Sequence, residues 1–256
     1  MEKCSGIMTF IFNTPIKFNT SQLSFRSNQS VQTPQFIPFS DGFNSNPLNE
    51  TLRTKALIEA EVKTNPKIRE ILKEYKIPAK INMAELEKLQ KGHLKDCRIV
   101  SAQIYSALPS ELKQGINLPH LQEAAMFHDY GKVLIPEKIL NKAGKLNENE
   151  QEIMHLHSEL GYELLKNKGL SNETLNLIKY HHQTRAGDGY PQIENGFEYN
   201  LSSEILNVAD KYTALREQRS YKNAMTHQEA LEVIRADVGA GLVSEEVFRA
   251  LEKGVY

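Results

Sequence analysis

With 256 residues, 40% of them hydrophobic and 25% charged, the chain has an ordinary globular composition and could form one large domain or a domain with extensions. A net charge of −1 gives no basic field for a nucleic acid polymer or an acidic membrane, so an anionic ligand needs a local site. Two cysteines, Cys4 and Cys97, and only short apolar runs predict a reduced, cytoplasmic protein with no membrane segment.

The first fifty residues differ in composition from the rest of the chain. Residues 1–50 are rich in Asn, Ser, Thr, Gln, Phe and Pro and carry few charges. Such a segment buries too little apolar surface to offset the entropy of ordering the chain, so we predict a disordered, low-complexity tail. Its scattered phenylalanines are a candidate contact for a protein partner.

From residue 51 onward the apolar residues follow a helical period, and the fold class predicted is all-α. Residues 51–80 form a helical lead-in, in which Pro66 opens the second helix. Residues 81–256 form the main domain, which begins with one helix from Asn82 through Ile104. Later helices are predicted to start near Pro119, Asn147, Ser171, Ser203, Thr226 and Ser244.

Five of the eight histidines lie on predicted inward faces of these helices. Each is three or four residues from an apolar residue or closes an apolar helix. Asp129 and Asp210 lie on the same faces. The five histidines are His93, His128, His157, His181 and His182. The other three, His120, His155 and His227, are predicted to be surface or capping residues.

A single histidine on an apolar face is more often a hydrogen-bonded core residue than a metal ligand. Seven titratable groups on such faces are different, because burying them without a cation between them would be very unfavourable. Neutral imidazoles bind divalent first-row metals through one nitrogen, and a carboxylate can bridge two ions. Seven donors exceed the needs of one tetrahedral ion, so the pattern predicts a site for two metal ions.

The order His … His-Asp … His … His-His … Asp in a helical domain resembles the HD-domain metal-dependent phosphohydrolases. The similarity is closer to the HD-GYP branch, whose members hydrolyse the bacterial second messenger cyclic di-GMP. It rests on four stretches between about residues 93 and 222: HDYGKVLIPEKILNKAGKLNENE, HLHSELGYELL, KYHHQTRAGDGYP and ILNVADKYTALREQRSYK. The resemblance implies an HD-domain helical bundle and a phosphodiesterase with a cyclic dinucleotide substrate.

The resemblance also implies a ligand set for each of two divalent ions, with Asp129 bridging them. The first ion would take four ligands: His93, His128, Asp129 and Asp210. The second would take three further histidines: His157, His181 and His182. Iron or manganese suits a histidine-rich, carboxylate-bridged site.

The resemblance to the HD-GYP proteins also implies which residues act in catalysis and which bind substrate. Asp129 and Lys132 would act in catalysis, with the lysine beside the reacting phosphate. The GYP loop would form one wall of the substrate cleft and is a second candidate contact for a protein partner. The substrate contacts implied are Gly189, Tyr190 and Pro191 of this loop and the basic residues Arg219 and Lys222.

Four residues depart from the family's pattern. Gln183 stands where the family usually has glutamate, and Ala186 and Thr213 each replace an aspartate. Loss of such supporting carboxylates commonly weakens a metal site by ~10–100-fold. Leu89 stands one turn before the first histidine, where members with three metals carry a glutamate. It favours two ions and a reaction that stops at linear pGpG rather than continuing to GMP.

Two other functions fit the same residues. An HD phosphohydrolase could act on another cyclic dinucleotide or on a nucleotide. A weakly active, nucleotide-binding signalling scaffold comes from a different class of protein. Scaffolds of this kind usually lose metal ligands, whereas this chain keeps all seven.

Overall fold

The computed structural model describes residues 47–194, 196–218 and 223–255, so residues 1–46 of the predicted tail lie outside the described part. The described residues form helices and an isolated bridge but no strand, and the all-α prediction is confirmed. The helices are α1 (Pro47–Thr64), α2 (Pro66–Glu74), α3 (Met83–Lys91), α4 (His93–Ala107), α5 (Ser110–Lys113), α6 (Leu118–Phe127), a 3-10 turn (Tyr130–Leu134), α7 (Glu137–Leu140), α8 (Glu148–Leu165), α9 (Asn172–Tyr180), α10 (Leu201–Arg216), α11 (His227–Gly239) and α12 (Glu245–Gly254).

Helix α4 lies at the centre of the bundle and packs against α3, α6, α10 and α12. Its apolar side chains Leu94, Cys97 and Ile104 are fully buried. They meet Leu121 of α6 and Phe248 of α12, which are also fully buried and belong to the same core. Full burial of a leucine or phenylalanine side chain contributes ~1.5–3 kcal/mol, so this core fixes the helices from which the functional side chains project.

The prediction of a single helix from Asn82 through Ile104 is wrong, because the helix is interrupted at Gly92. Its backbone lies at φ −139° and ψ −94°, outside the helical region, and separates α3 from α4. Glycine enters such a conformation without a steric penalty from a Cβ atom. Leu89 is therefore not one helical turn before His93, and its side chain is 2% exposed in the apolar core.

Most helix starts agree with the capping residues identified in the sequence. Asn82, Asn147, Ser171, Thr226 and Ser244 each accept a hydrogen bond from a backbone N–H in the first turn of the following helix. Helix α10 starts two residues before the predicted Ser203. Asn200 is its N-cap. In a capping box, the Asn200 side chain accepts from the backbone N–H of Ser203, and the Ser203 hydroxyl accepts from the backbone N–H of Asn200.

The 3-10 turn and α8 approach each other at two glycines. A Cβ atom on Gly131 would lie 1.9 Å from the carbonyl oxygen of His157 and 2.6 Å from the backbone nitrogen of Gly161. A Cβ atom on Gly161 would in turn lie 3.4 Å from the nitrogen of Gly131. Only a residue without a side chain allows this contact at Gly131, and the contact brings the residues just before the turn next to α8.

The lead-in helices α1 and α2 pack against α8. Between them lies Asn65, which caps α2 and is buried. Its Nδ2 donates to the carbonyl oxygen of Glu163 at 3.1 Å and to Oε2 of Glu163 at 3.0 Å. The division of the chain at residue 80 stays a prediction. Within the described residues, no helix is both long enough and apolar enough to cross a bilayer.

Candidate metal centre and substrate loop

Five separate segments bring ionisable side chains to one buried place. One side chain comes from the first residue of α4, one from α8 and one from the middle of α10. The others directly follow the ends of α6 and α9. The residues brought together are His93, His128, Asp129, His157, His181, His182 and Asp210, the seven identified in the sequence.

The seven side chains form two donor groups that share Asp129. Within each group, the candidate ligand atoms all lie within 4.8 Å of one another. The first donor group is His93, His128, Asp129 and Asp210. The second donor group is Asp129, His157, His181 and His182.

Asp129 directs one carboxylate oxygen toward each donor group. Its Oδ1 lies 3.4 Å from Nε2 of His157 and 3.8 Å from Nε2 of His181. Its Oδ2 lies 3.6 Å from Nε2 of His93 and 3.6 Å from Nε2 of His128. One oxygen is therefore available to each of two cations, which is the arrangement of a bridging ligand in a two-metal site.

Hydrogen bonds fix the tautomers of two histidines in the second donor group. Nδ1 of His157 donates to the carbonyl oxygen of Met154 at 2.6 Å, and Nδ1 of His181 donates to that of Ile178 at 2.7 Å. Because a carbonyl oxygen only accepts, each neutral ring has its proton on Nδ1 and a lone pair on Nε2. The two Nε2 atoms are 3.2 Å apart, where their lone pairs repel unless a cation lies between them.

Buried ligand atoms that lack a hydrogen-bond partner occur in the first donor group and on the shared Asp129. Nε2 of His93 lies 2.9 Å from Oδ1 of Asp210, and Nε2 of His128 lies 3.5 Å from the same oxygen. Among the described residues, neither His128 Nε2 nor Asp129 Oδ1 has a hydrogen-bond partner, although both atoms are buried. Buried polar atoms without partners are rare and unfavourable, and a bound cation would satisfy both of them.

Burial and neighbouring charges set the protonation of the second donor group. Burial lowers the pKa of His157 to about 3 and that of His182 to about 4. Burial also opposes ionisation of Asp129, but Lys132 and His128 outweigh it and hold the pKa of this carboxyl well below its ordinary value. Neutral imidazoles and an ionised carboxylate are the forms that bind divalent cations, so the donor set fits two such ions.

Lys132 places a positive charge beside the shared carboxylate. It lies in the 3-10 turn, and its Nζ donates to Oδ2 of Asp129 at 2.6 Å. The lysine side chain is 20% exposed. The position of Lys132 beside the reacting phosphate and its role in catalysis stay predictions.

The loop that follows the paired histidines folds back onto them. A Cβ atom on Gly189 would lie 2.1 Å from the carbonyl oxygen of His182, so a side chain here would prevent the approach. The buried amide of Gln183 donates from Nε2 to the carbonyl oxygen of Pro191 at 2.5 Å. The ring of Tyr190 stacks on the ring of His182 with centroids 4.6 Å apart. The loop therefore lies directly against the second donor group.

Residues 79–243 match the HD domain family. The chain belongs to the HD domain family. It is similar to the cyclic di-GMP phosphodiesterase response regulator RpfG of Xanthomonas campestris pv. campestris, with 38% identity over 122 residues, 46% of this chain and 32% of that protein. It is also similar to the 3'3'-cGAMP-specific phosphodiesterase 1 of Vibrio cholerae serotype O1, with 32% identity over 151 residues, 57% of this chain and 34% of that protein.

The HD domain of the L. monocytogenes phosphodiesterase PgpH is a similar solved structure, with 17% identity, a TM-score of 0.45 and coverage of 65% of this chain and 91% of that chain. The resemblance to HD-GYP proteins is confirmed by the family match and the relatives. The matched segment spans about a third of the length of the two sequence relatives.

Three residues that depart from the family's pattern form hydrogen bonds of their own in this HD domain. Gln183 holds the loop through its amide, as described above, and does so without a carboxylate. Thr213 donates its hydroxyl to the carbonyl oxygens of Ala209 and Asp210, each at 2.9 Å, and is satisfied within α10. Ala186 is exposed and donates its backbone N–H to Oγ1 of Thr184 at 3.2 Å.

Sequence patterns missed two residues of the HD domain that support the site. Asn207 donates from Nδ2 to the carbonyl oxygens of His181 and Gln183, at 3.0 Å and 3.2 Å. Asn207 lies one turn before Asp210 on the same helix, and this spacing could have indicated from the sequence that it faces the site. His155, predicted to be a surface or capping residue, stacks on Tyr190 instead. The predicted phosphate contacts Arg219 and Lys222 lie outside the described residues.

Proposed function

We propose that this HD domain hydrolyses cyclic di-GMP to linear pGpG with two divalent metal ions, iron or manganese. The observation that carries the proposal is the position of Asp129, which directs one oxygen toward each of two histidine-rich donor groups. A single ion would need only one of these groups. Histidine with bridging carboxylate is a donor set suited to first-row divalent ions such as iron and manganese.

The reaction consumes one water and breaks one bond between phosphorus and a 3′ oxygen, leaving the 5′ phosphate on the product. Divalent cations bound by the two donor groups would acidify a water molecule and neutralise charge on the phosphodiester. The chain's own contribution is to fix both donor groups in a buried frame before substrate arrives. Asp129 has the central part, since it connects the two groups.

Lys132 is proposed to stabilise the negative charge that develops on the reacting phosphate. Its ammonium group lies next to Asp129 and is partly exposed, so it can contact a phosphate that has entered the site. A fixed positive charge at such a position commonly contributes 10²–10³-fold to turnover, on the order of an oxyanion-hole donor. Arg219 and Lys222 are proposed to hold the second phosphate, which would keep the first one aligned for attack.

The proposed product is pGpG because the described donor groups supply ligands for two ions. Neither group contains a glutamate from α3. Leu89, the residue at the position where three-metal members have that glutamate, is buried in the apolar core. A second cut to GMP would require the linear product to bind again in a new orientation.

A second candidate substrate is 3'3'-cGAMP. One relative named for this substrate is 32% identical to the chain over 151 residues. The two substrates share the ring of two phosphodiesters and differ in one base. Metal ions held by the donor groups would bind phosphate in either case, so discrimination between the bases would fall to other residues, such as those of the loop.

The deciding experiment is a turnover assay on protein loaded anaerobically with Fe²⁺ or Mn²⁺. Cyclic di-GMP and 3'3'-cGAMP are supplied separately and in competition, and products are resolved by chromatography. Accumulation of pGpG, with slower use of 3'3'-cGAMP, is the expected result. Two bound ions per chain with both dinucleotides unchanged would contradict the proposed activity while leaving the metal centre in place.

A further inference from the structure

The histidines of the site are oriented in two different ways. Three of them donate from Nδ1 to the carbonyl oxygen three residues earlier, at 3.0 Å for His128, 2.6 Å for His157 and 2.7 Å for His181. A hydrogen bond of this kind fixes both the tautomer and the plane of a ring that binds metal through Nε2. His182 makes no such bond to any described residue, although its Nε2 lies 3.1 Å from Nε2 of His157.

The ring of His182 instead contacts an aromatic ring. The Tyr190 ring lies on the His182 ring, with centroids 4.6 Å apart and planes inclined by 28°. On the opposite face of Tyr190 lies the His155 ring, with centroids 3.6 Å apart and planes inclined by only 13°. Tyr190 is thus enclosed between two imidazoles, one a candidate ligand and the other outside both donor groups.

His155 lies on a helix that packs within the bundle. It lies in α8, two residues before His157, and therefore projects from a different side of that helix. α8 packs against the 3-10 turn and α9. Tyr190 lies in a loop that the amide of Gln183 holds through Pro191, and the backbone N–H of Tyr190 donates to the carbonyl oxygen of His182 at 3.4 Å.

We propose that His155 is a positioning residue that holds the Tyr190 ring against His182 and thereby sets the angle at which His182 meets the second ion. The inference rests on the proposed two-metal centre. His155 belongs to neither donor group. Without it, Tyr190 would have support on one face only, and the His182 ring would rotate more freely before binding a cation.

The test is a Mn²⁺ titration of the full chain, with free Mn²⁺ followed by electron paramagnetic resonance and no substrate present. His155→Ala and His155→Leu remove the stack and should weaken binding of the second ion by ~3–10-fold, the effect expected of one aromatic contact or one supporting group. Binding of the first ion should change less than twofold. His155→Phe restores an aromatic ring and should restore the parent affinity. Gln151→Ala, an exposed change on the same helix, is the matched control.

A double-mutant cycle with His182→Ala separates positioning from general support of the fold. When His182 is already absent, adding His155→Ala should not weaken the remaining site further, because the two changes act through one contact. A further loss of the same size in that background would overturn the proposal. So would unchanged affinity in both His155→Ala and His155→Leu, or equal weakening of both ions together with a lower unfolding temperature.

The same titration distinguishes failure of this inference from failure of the proposed function. A parent protein that binds fewer than two Mn²⁺ ions would overturn both. Two ions in the parent with no selective effect of His155 would overturn the inference alone. Selective weakening of the second ion, rescued by His155→Phe, is the result that supports it.

Discussion

The two donor groups share one carboxylate but differ in what holds them together. In the first group two carboxylates lie among two histidines, and Nε2 of His93 is 2.9 Å from Asp210. Burial opposes a charge on His128, yet Asp129 and Asp210 outweigh it and raise the pKa of this ring. In the second group three Nε2 atoms face one another around a single carboxylate, and burial lowers the pKa of His157 to about 3.

The difference shows that a cation matters more to the second group than to the first. Without a metal, Nε2 of His93 can donate to Oδ1 of Asp210 at 2.9 Å, although Nε2 of His128 has no hydrogen-bond partner among the described residues. The second group holds lone pairs at 3.1 Å and 3.2 Å from one another, and only a cation or a proton relieves that repulsion. We therefore expect the first ion to bind to a preorganised site and the second to depend on supporting residues around it.

The largest effect is expected from removing the shared carboxylate. Asp129→Ala takes one ligand from each group, so both ions should be lost or bound far more weakly and turnover should fall by more than ~100-fold, beyond the effect of losing a supporting residue. Metal content by elemental analysis and the rate of product formation are the measurements. Asp96→Ala, which removes an exposed carboxylate from α4, is the matched control and should keep both ions. Near-normal turnover by Asp129→Ala would contradict the two-metal mechanism.

A change at Gly131 should separate the two groups without touching a ligand. A methyl group there would meet the carbonyl oxygen of His157 at 1.9 Å, so the 3-10 turn must move away from α8. Overpacking of this kind destabilises by ~1–3 kcal/mol, and the unfolding temperature of Gly131→Ala should fall together with binding of the second ion. Gly115→Ala is the control, since a Cβ atom there meets nothing within 4 Å. Equal unfolding temperatures for the two variants would be evidence against the close approach.

Removing one histidine from the second group should sharpen the comparison further. His157→Ala should lower the metal content from two ions to one, because the first group keeps all four of its donors. Turnover should be nearly lost, since one ion cannot both activate water and neutralise the phosphate. Metal titration checks the count, and loss of both ions would mean that the groups are not separable. Gln151→Ala, an exposed change on α8, the helix that carries His157, serves as the control.

The smallest effect is expected from the anchor of the loop. Gln183→Ala removes the hydrogen bond to Pro191, and Gln183→Glu replaces the amide donor with a carboxylate that cannot donate when ionised. Both variants should raise KM by ~10-fold or less and lower kcat by a smaller factor. Steady-state kinetics gives both values, with Gln192→Ala, an exposed neighbour, as reference. If Gln183→Glu bound substrate more tightly than the parent, the amide would not be the anchor.

Capping residues and the helical spacing of apolar residues made the candidate ligands and most helices predictable from the sequence. Asn147 followed by Glu150 forms a capping box, and both members of the box hydrogen-bond as the spacing requires. The ligands share helical faces with apolar residues, so their inward direction followed from the periods of individual helices. His157, four residues after the buried Ile153, is an example.

Other features depend on contacts that no local pattern encodes. Gly92 interrupts an apolar period that continues on both sides of it, and glycine is tolerated inside many helices, so the sequence alone favoured one helix. The stack of His155 on Tyr190 joins residues from a helix and a loop in different parts of the chain. Only the packed structure brings them together, because the direction of α8 is set by its contacts with the 3-10 turn and α9.

The distance along the chain between ligands links cation supply to folding. His93 and Asp210 are 117 residues apart in the sequence and meet at 2.9 Å, so an unfolded chain has no comparable site. Each ion bound only by the folded chain adds RT ln(1 + [M]/Kd) to the free energy of unfolding, about 1.4 kcal/mol for every tenfold rise in free cation above its Kd. The lifetime of the folded protein in a cell would therefore depend on the local metal supply. When the metal is scarce, the protein would lose its activity and would also unfold more often, which exposes the chain to proteases.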